Sequence, residues 1–197
     1  MGEFIYNPAL STFTSILLII GCYEFGNLII NRSYLKKVIE QVSIIEFQYI
    51  AFGLIFLSII LFPLVAFTSS AKLILQFFSI ILILLCVRFF FRIKPILKKI
   101  KINKKRDIFF YIFLIFILLY FLLGLSPLTS ADVLDYHVGA ALNILRFDRY
   151  ILLPEWFTSL QSGGGEVLIA LGLSVGSEQF GSLVQFSSIL TISGVIL

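Results

Sequence analysis

The sequence predicts an all-α protein of the polytopic membrane class, with five or six membrane segments and one amphipathic helix outside the membrane. Of its 197 residues 59% are hydrophobic and only 13% are charged, and the mean hydropathy is +1.06. Soluble domains are about 45–50% apolar and about 25% charged, which excludes a soluble globule and a disordered chain. Spanning helices satisfy their own backbone in lipid, and at roughly 20 residues per crossing five or six of them fit.

Four apolar segments are long enough to span: residues 9–30, 47–67, 73–91 and 108–125. Their Ile and Phe residues favour strands in water, but an open strand in lipid leaves backbone groups unpaired. We therefore predict four transmembrane helices in an N-terminal region, 1–126. Residues 127–165 are mixed in composition and are predicted to form an outer loop. Residues 166–197 are predicted to hold a short helix, which is tilted, re-entrant or half of a broken pair, and a last, apparently truncated transmembrane helix.

The basic residues predict the orientation. Most of the 15 lysines and arginines lie in two connections, 31–46 and 92–107. The positive-inside rule places both in the cytoplasm, so the N-terminus and the 126–165 loop face outwards from a bacterial inner membrane. Because topology explains the positive charge, no nucleic-acid partner is predicted. The second connection is also suited to anionic lipid, and its sequence predicts a short interfacial helix broken by Pro95.

Three residues inside the apolar segments need an explanation. Cys22 and Cys86 have no pairing pattern or metal-ligand spacing, so they are predicted to be reduced packing residues. Glu24 lies deep in the first predicted span. It either marks a proton or ion path or is satisfied by snorkelling or by an amide such as Asn27.

The outer loop carries the candidate chemistry. If a helix begins at Ser130, then Asp132, Asp135 and Tyr136 share one face and His137 lies beside them. The opposite apolar stripe predicts an amphipathic helix on the outer membrane surface: Val138, Ala141, Leu142 and Leu145. A partly desolvated carboxylate there is suited to general-base chemistry, and two carboxylates are suited to a divalent cation. The alternatives are a helix-capping Asp132, a solvated Asp135 and an interfacial, hydrogen-bonded His137.

A second feature is the triglycine Gly163–Gly165, which precedes Glu166. Glycine permits a sharp turn or a close backbone approach, but the sequence lacks the Gly-Lys-Ser/Thr of a phosphate-binding loop. An acid at the membrane boundary requires a partner. Glu166 is therefore either a functional residue or a helix-start acid favoured by the helix dipole. No metal site is predicted, and Trp156 is typical of an interfacial aromatic belt.

The order of residues in this loop carries a family resemblance. The order runs through Pro127, Thr129, Asp132, Leu134, Asp135, Tyr136 and His137, followed by Leu153-Pro154 and Gly165-Glu166-Val167-Leu168. This order resembles the first outer loop of polytopic GT-C-type glycosyltransferases that use polyprenyl-phosphate sugars, as in glycosyltransferase family 39. Ala131 stands where that pattern usually has an aromatic residue. Such enzymes are longer than this chain, which would correspond to their N-terminal portion.

The resemblance implies a reaction and a site. Asp132 would act as the general base on an acceptor hydroxyl, and a polyprenyl-phosphate-linked sugar would be the donor. Side chains that would bind substrate are Asp135, Tyr136, His137 and Glu166. Apart from the resemblance, the positive charge of Arg146 or Arg149 is suited to neutralise the leaving phosphate through charge-assisted hydrogen bonds. No cofactor is firmly implied, although a divalent cation is possible. The partners would be membrane lipids and the lipid-linked sugar, with a second membrane chain as a further candidate.

A non-enzymatic alternative also fits the composition. It is a polytopic membrane protein that serves as an assembly subunit or a small transporter component. A transporter of this kind would expose Glu24 to a wet cavity and would use the short segment after Glu166 as a half-helix.

Overall fold

The structure, a computed structural model, describes residues 7–32, 45–99, 108–127, 133–151 and 163–196. Within those ranges the chain is helical and has no strand, so the all-α prediction is confirmed there. The elements, in chain order, are α1 (Pro8–Arg32), α2 (Ile45–Ala66), α3 (Ala71–Lys99), α4 (Ile108–Gly124), a π turn (Val133–Val138), α5 (Gly139–Phe147), α6 (Gly164–Leu173) and α7 (Phe180–Ile196).

Three of these helices, α1, α2 and α3, are long and apolar enough to cross a membrane. They contain 25, 22 and 29 residues. At about 1.5 Å per residue, each exceeds the roughly 30 Å of a bilayer core. The predicted segments 9–30, 47–67 and 73–91 correspond to them. The other two apolar helices of the predicted spanning set, α4 and α7, have 17 residues each.

Helix α1 lies at the centre of the bundle, because it packs along both α2 and α3. A Cβ atom added to Gly26 would fall on the carbonyl of Tyr49, and one added to Gly53 would fall on the carbonyl of Cys22. The backbones of α1 and α2 therefore touch. Small residues permit such close approach, and this packing holds helices together in lipid, where apolar burial supplies little driving force.

Pairs of contacting residues determine the helix directions. The two glycine contacts above make α1 and α2 antiparallel. Helices α1 and α3 are parallel, because Gly21 lies against Leu82 and Glu24 lies against Arg92. Helix α4 is antiparallel to α7, since Gly124 lies beside Leu183 and the rings of Tyr120 and Phe186 are stacked.

The helix termini consequently gather at two opposite ends. We name the end where α1 and α3 finish and α2 begins the basic end, because the two lysine-rich connections join the helices there. The Gln48 side chain at this end donates a hydrogen bond to the carbonyl of Thr191 at 3.3 Å, so α7 finishes there too. The opposite end, named the loop end, holds the start of α1, the α2–α3 turn and the end of α4.

Helix α6 is a short helix inside the bundle, and its C-terminal carbonyls are satisfied by side chains of α3. The Ser79 hydroxyl donates to the carbonyl of Leu171 at 3.0 Å, and the Gln76 amide donates to that of Ser174 at 3.1 Å. Its 10 residues span about 15 Å, half of a bilayer core. It begins two residues before the predicted start at Glu166.

Helix α5 buries a face that only partly coincides with the predicted apolar stripe. Val138 and Ala141 of that stripe are buried, but Leu142 is 46% exposed, and Ala140 and Ile144 complete the buried face. Helix α5 packs against α6 and α3, and these helices select the face that it buries. A π turn at Val133–Val138 precedes it.

The predicted break at Pro95 is wrong, because α3 continues to Lys99. Proline removes one intrahelical hydrogen bond, here to the carbonyl of Phe91. The loss of this one bond does not end the helix, which continues for four residues beyond the proline.

Candidate functional site

The candidate site is built around Glu166 in the first turn of α6, close to Gly164, which packs against Ser58 of α2. Its carboxylate Oε2 accepts a hydrogen bond from the backbone N–H of Gly163 at 2.6 Å. This contact is one half of a capping box, in which an acid three residues into a helix satisfies the N-cap amide. The helix dipole also favours a negative charge at this position. The helix-start interpretation of Glu166 is therefore confirmed.

Glu166 also contacts a second predicted site residue. Its Oε1 lies 2.9 Å from Nδ1 of His137 in the π turn. The Glu166 side chain is 13% exposed and that of His137 is 51% exposed. The two residues are 29 positions apart in the chain. Their contact fastens the outer-loop motif to the buried short helix, and it also satisfies the interfacial, hydrogen-bonded interpretation of His137.

The electrostatics of the pair favour an ionised carboxylate. Partial burial alone would raise the pKa of Glu166, but the hydrogen bonds from Gly163 and His137 outweigh that effect. The pKa of Glu166 is consequently lower than its ordinary value of 4.5. The carboxylate is therefore negative at neutral pH and is poised to orient the imidazole.

The other motif residues are placed in part. Tyr136, next to His137, is 42% exposed. The backbone of Asp135 belongs to the π turn, but its side chain lies outside the described structure, as does the whole of Asp132 and Trp156. A π turn is itself a frequent feature of functional sites.

Arg146 and Arg149 lie at the end of α5, and both are exposed. Between them Asp148 adopts the left-handed conformation, with φ 55°. Its carboxylate accepts a hydrogen bond from the backbone N–H of Lys72 at 2.6 Å and so caps α3. This contact holds the end of α5 at the loop end. The described structure shows no hydrogen bond or ion pair from either arginine to His137 or Glu166.

A second polar cluster, at the basic end, was not predicted as a unit. Glu24 is 0% exposed, and its Oε1 lies 2.8 Å from Nε of Arg92. Asn27 donates to its Oε2 at 3.1 Å, so the predicted pairing with this amide is confirmed. Nε of Arg88 lies 3.8 Å from the same oxygen. Among the described residues Glu24 is enclosed by these partners.

The sequence contained a signal for this cluster. A carboxylate inside an apolar helix requires a cation, and arginine is the cation best suited to a buried pair. Arg88 and Arg92 are one helical turn apart on α3, and Arg88 interrupts an apolar run. Arg92 was counted with the basic connection, so its role inside the bundle was missed.

A third polar cluster joins α1 to the turn between α6 and α7. Ser11 donates to Oε1 of Gln179 at 2.5 Å, and the hydroxyls of Ser15 and Ser177 are 2.5 Å apart. All four side chains are at most 2% exposed. Their hydrogen bonds fasten the loop ends of two helices in an apolar bundle. They were missed because isolated serines in apolar segments carry no spacing signal.

Across the described residues, no group of three or more His, Cys, Asp or Glu side chains is arranged to hold a metal ion. Cys22 and Cys86 are free and buried, as the sequence predicts for packing residues.

The fold and the site define the class of protein. It is an all-helical protein with three helices long and apolar enough to span a membrane, and its outer-loop motif is fastened to a short internal helix. The chain belongs to the DUF1420 family, since the model of the DUF1420 N-terminal domain matches residues 2–106 and 88–197. Neither a curated protein nor a solved structure matches it.

Proposed function

We propose that this protein is an integral membrane glycosyltransferase of the GT-C type, or the N-terminal part of one. It transfers a sugar from a polyprenyl-phosphate donor to an acceptor hydroxyl on the outer face. The observation that carries the proposal is the hydrogen bond between His137 and Glu166. It brings together two residues to which the family resemblance assigns one pocket.

The reaction assigns a role to each side chain. Asp132 takes the proton of the acceptor hydroxyl, whose oxygen attacks the anomeric carbon of the sugar while the bond to the lipid phosphate breaks. His137, oriented by Glu166, and the exposed Tyr136 hydrogen-bond the sugar. Arg146 or Arg149 binds the departing phosphate by charge-assisted hydrogen bonds.

The proposed orientation follows from charge. The basic end lies in the cytoplasm of a bacterial cell and the loop end faces outwards, because basic connections remain on the cytoplasmic side. Helices α4 and α7 complete the crossings to five, with tilt or local thinning of the bilayer matching their shorter length. An apolar donor lipid then reaches the loop end from within the outer leaflet.

One observation favours the non-enzymatic alternative, an assembly subunit or a small transporter component. Helix α6 is a buried half-length helix, which is a common element of transporter binding sites. The burial of Glu24 in an arginine pair argues against an ion path through that residue and leaves the enzyme as the better-supported proposal.

A transfer assay tests the proposal. Membranes containing the full chain are incubated with a radiolabelled polyprenyl-phosphate sugar, and label transferred to the acceptor fraction is counted. We expect Asp132→Asn to lose at least about a hundredfold of the rate, the usual contribution of a general base. The matched control is Glu46→Gln, an exposed acid at the basic end, which should transfer like wild type. Equal transfer by Asp132→Asn and wild type would reject Asp132 as the base.

A further inference from the structure

The cluster at the basic end has unbalanced charge. Glu24 is the one carboxylate that the described structure places against the guanidinium groups of Arg88 and Arg92. Within ion-pair distance, one negative charge therefore faces two positive charges. An excess charge at the edge of an apolar bundle is costly unless an anion or water compensates it.

The two arginines lie about one bilayer-core thickness along α3 from its start. Along α3, Arg88 and Arg92 are about 26 and about 32 Å from Ala71 at the loop end, at about 1.5 Å per residue. A bilayer core is about 30 Å thick. With Ala71 at one boundary of the core, these guanidinium groups reach the opposite boundary, where phosphates are found.

Donor groups of both side chains remain available there. Arg92 uses Nε on Glu24 at 2.8 Å and Nη1 on Asn27 at 3.3 Å. Its Nη2 is buried and has no acceptor among the described residues. Nε of Arg88 is 3.8 Å from Glu24, too far for a hydrogen bond, and the Arg88 side chain is 51% exposed. Arg88 is thus the accessible half of the pair, and Glu24 with Asn27 holds Arg92 in place behind it.

The surroundings of Arg88 suit an acyl chain. On the same helix Leu84 is 64% exposed and Phe91 is 75% exposed. They lie one turn before and one turn after Arg88, on its own side of α3. A lipid whose phosphate is bound by Arg88 would therefore lay its hydrocarbon chains along this apolar surface. A free phosphate ion would leave the same surface uncovered.

We propose that Arg88, supported by Arg92, binds the phosphate of an anionic lipid headgroup at the basic end of the bundle. The planar guanidinium group matches phosphate oxygens through paired hydrogen bonds. The bound anion balances the excess charge of the cluster. This site is separate from the loop end, and it does not depend on the proposed transferase activity.

A lipid titration tests this site. The purified full chain in neutral detergent is titrated with phosphatidylglycerol, and bound lipid is counted by mass spectrometry of the intact complex. We expect Arg88→Gln to bind about tenfold more weakly than wild type, because one charged hydrogen-bonding group is lost. The Glu24–Arg92 pair is untouched by this change, so helicity should be retained. Wild-type affinity in Arg88→Gln would overturn the proposal.

Matched controls separate the site from general attraction. Arg32→Gln removes the same charge from an exposed position at the same end of the bundle, and we expect it to bind like wild type. Equal weakening by Arg32→Gln and Arg88→Gln would overturn a specific site. Arg88→Lys keeps the positive charge but loses the planar guanidinium group with its paired donors, and this variant should bind the lipid with intermediate affinity. Phosphatidylcholine and inorganic phosphate should not displace the anionic lipid. Displacement by inorganic phosphate would show that the site binds free phosphate, which would overturn the proposal of a lipid headgroup.

Discussion

A carboxylate inside an apolar helix persists only if its neighbours compensate its charge. Glu24 is fully buried and receives hydrogen bonds from Arg92 and Asn27. The guanidinium group of Arg92 also lies 5.3 Å from the centre of the Tyr23 ring, within the range of a cation–π contact. These contacts connect α1 to α3, so the pair serves the assembly of the bundle.

Removing one partner of this pair should therefore be costly. We expect Arg92→Gln to lower the free energy of unfolding by about 3–5 kcal/mol, because Glu24 is left buried with an uncompensated charge. The double variant Glu24→Gln/Arg92→Gln should lose less than the sum of the two single variants. Denaturant titration of the detergent-solubilised protein, followed by circular dichroism, measures both. Arg32→Gln is the exposed control, and a loss in Arg92→Gln no larger than in this control would contradict the account.

The His137–Glu166 pair makes stability depend on pH. Since the folded state lowers the pKa of Glu166, its contribution is fully present above the unfolded value, near 4.5, and disappears as the pH falls through the lower folded pKa. We expect acidification from neutral pH to below 4.5 to destabilise wild type more than Glu166→Gln. Thermal unfolding across that range measures the difference. The control Glu46→Gln should show the same dependence of thermal stability on pH as wild type. Identical dependences for wild type and Glu166→Gln would show that the Glu166 carboxylate does not cause the loss of stability in acid.

Helices pack here by contact between backbones. Gly26 and Gly53 each lie against a carbonyl of the facing helix, and a carbonyl cannot rotate away as a side chain can. The spans themselves were predictable because apolar length is a local property. The backbone contacts of Gly26 and Gly53 were not predictable from the sequence. Several small residues lie in α1, and only the packing selects which of them faces α2.

Substitution of the contact glycines tests this interface. Gly26→Ala should lower the free energy of unfolding by about 1–3 kcal/mol through overpacking. Gly165→Ala is the matched control, since a Cβ there would have no heavy atom within 4 Å. It should stay within about 1 kcal/mol of wild type. The same denaturant titration compares them, and equal stabilities would show that α1 and α2 have room to separate.

The molecule as a whole is arranged for a solvent of lipid. Helix α4 makes its main described contacts with α7, and it exposes large apolar side chains on several sides, among them Ile112, Ile115, Leu119 and Leu122, each more than half exposed. Such a surface would associate in water, whereas acyl chains cover it at no cost. The alternation of helix directions then separates the lysine-rich connections from the outer-loop motif.

The proposed orientation can be measured with single cysteines. Arg149→Cys places a thiol at the loop end, and Arg32→Cys places one at the basic end. In intact bacterial spheroplasts a membrane-impermeant maleimide should label Arg149→Cys, and it should label Arg32→Cys only after the membrane is opened. Background should be low, because Cys22 and Cys86 are 0% and 1% exposed. The reverse labelling pattern would invert the topology.

Apolar length and the distribution of lysines were enough to predict a helical membrane protein, three of its spans and the alternation of its connections. Both signals lie within continuous stretches of chain, so no packing information is required to interpret them. Tertiary structure alone decided that Glu24 meets Arg92, 68 positions away, and that His137 meets Glu166, 29 positions away. It also decided which face of α5 is buried, because the helices against which α5 packs select that face. Contacts between distant residues depend on which helix faces point at each other, and composition does not specify that choice.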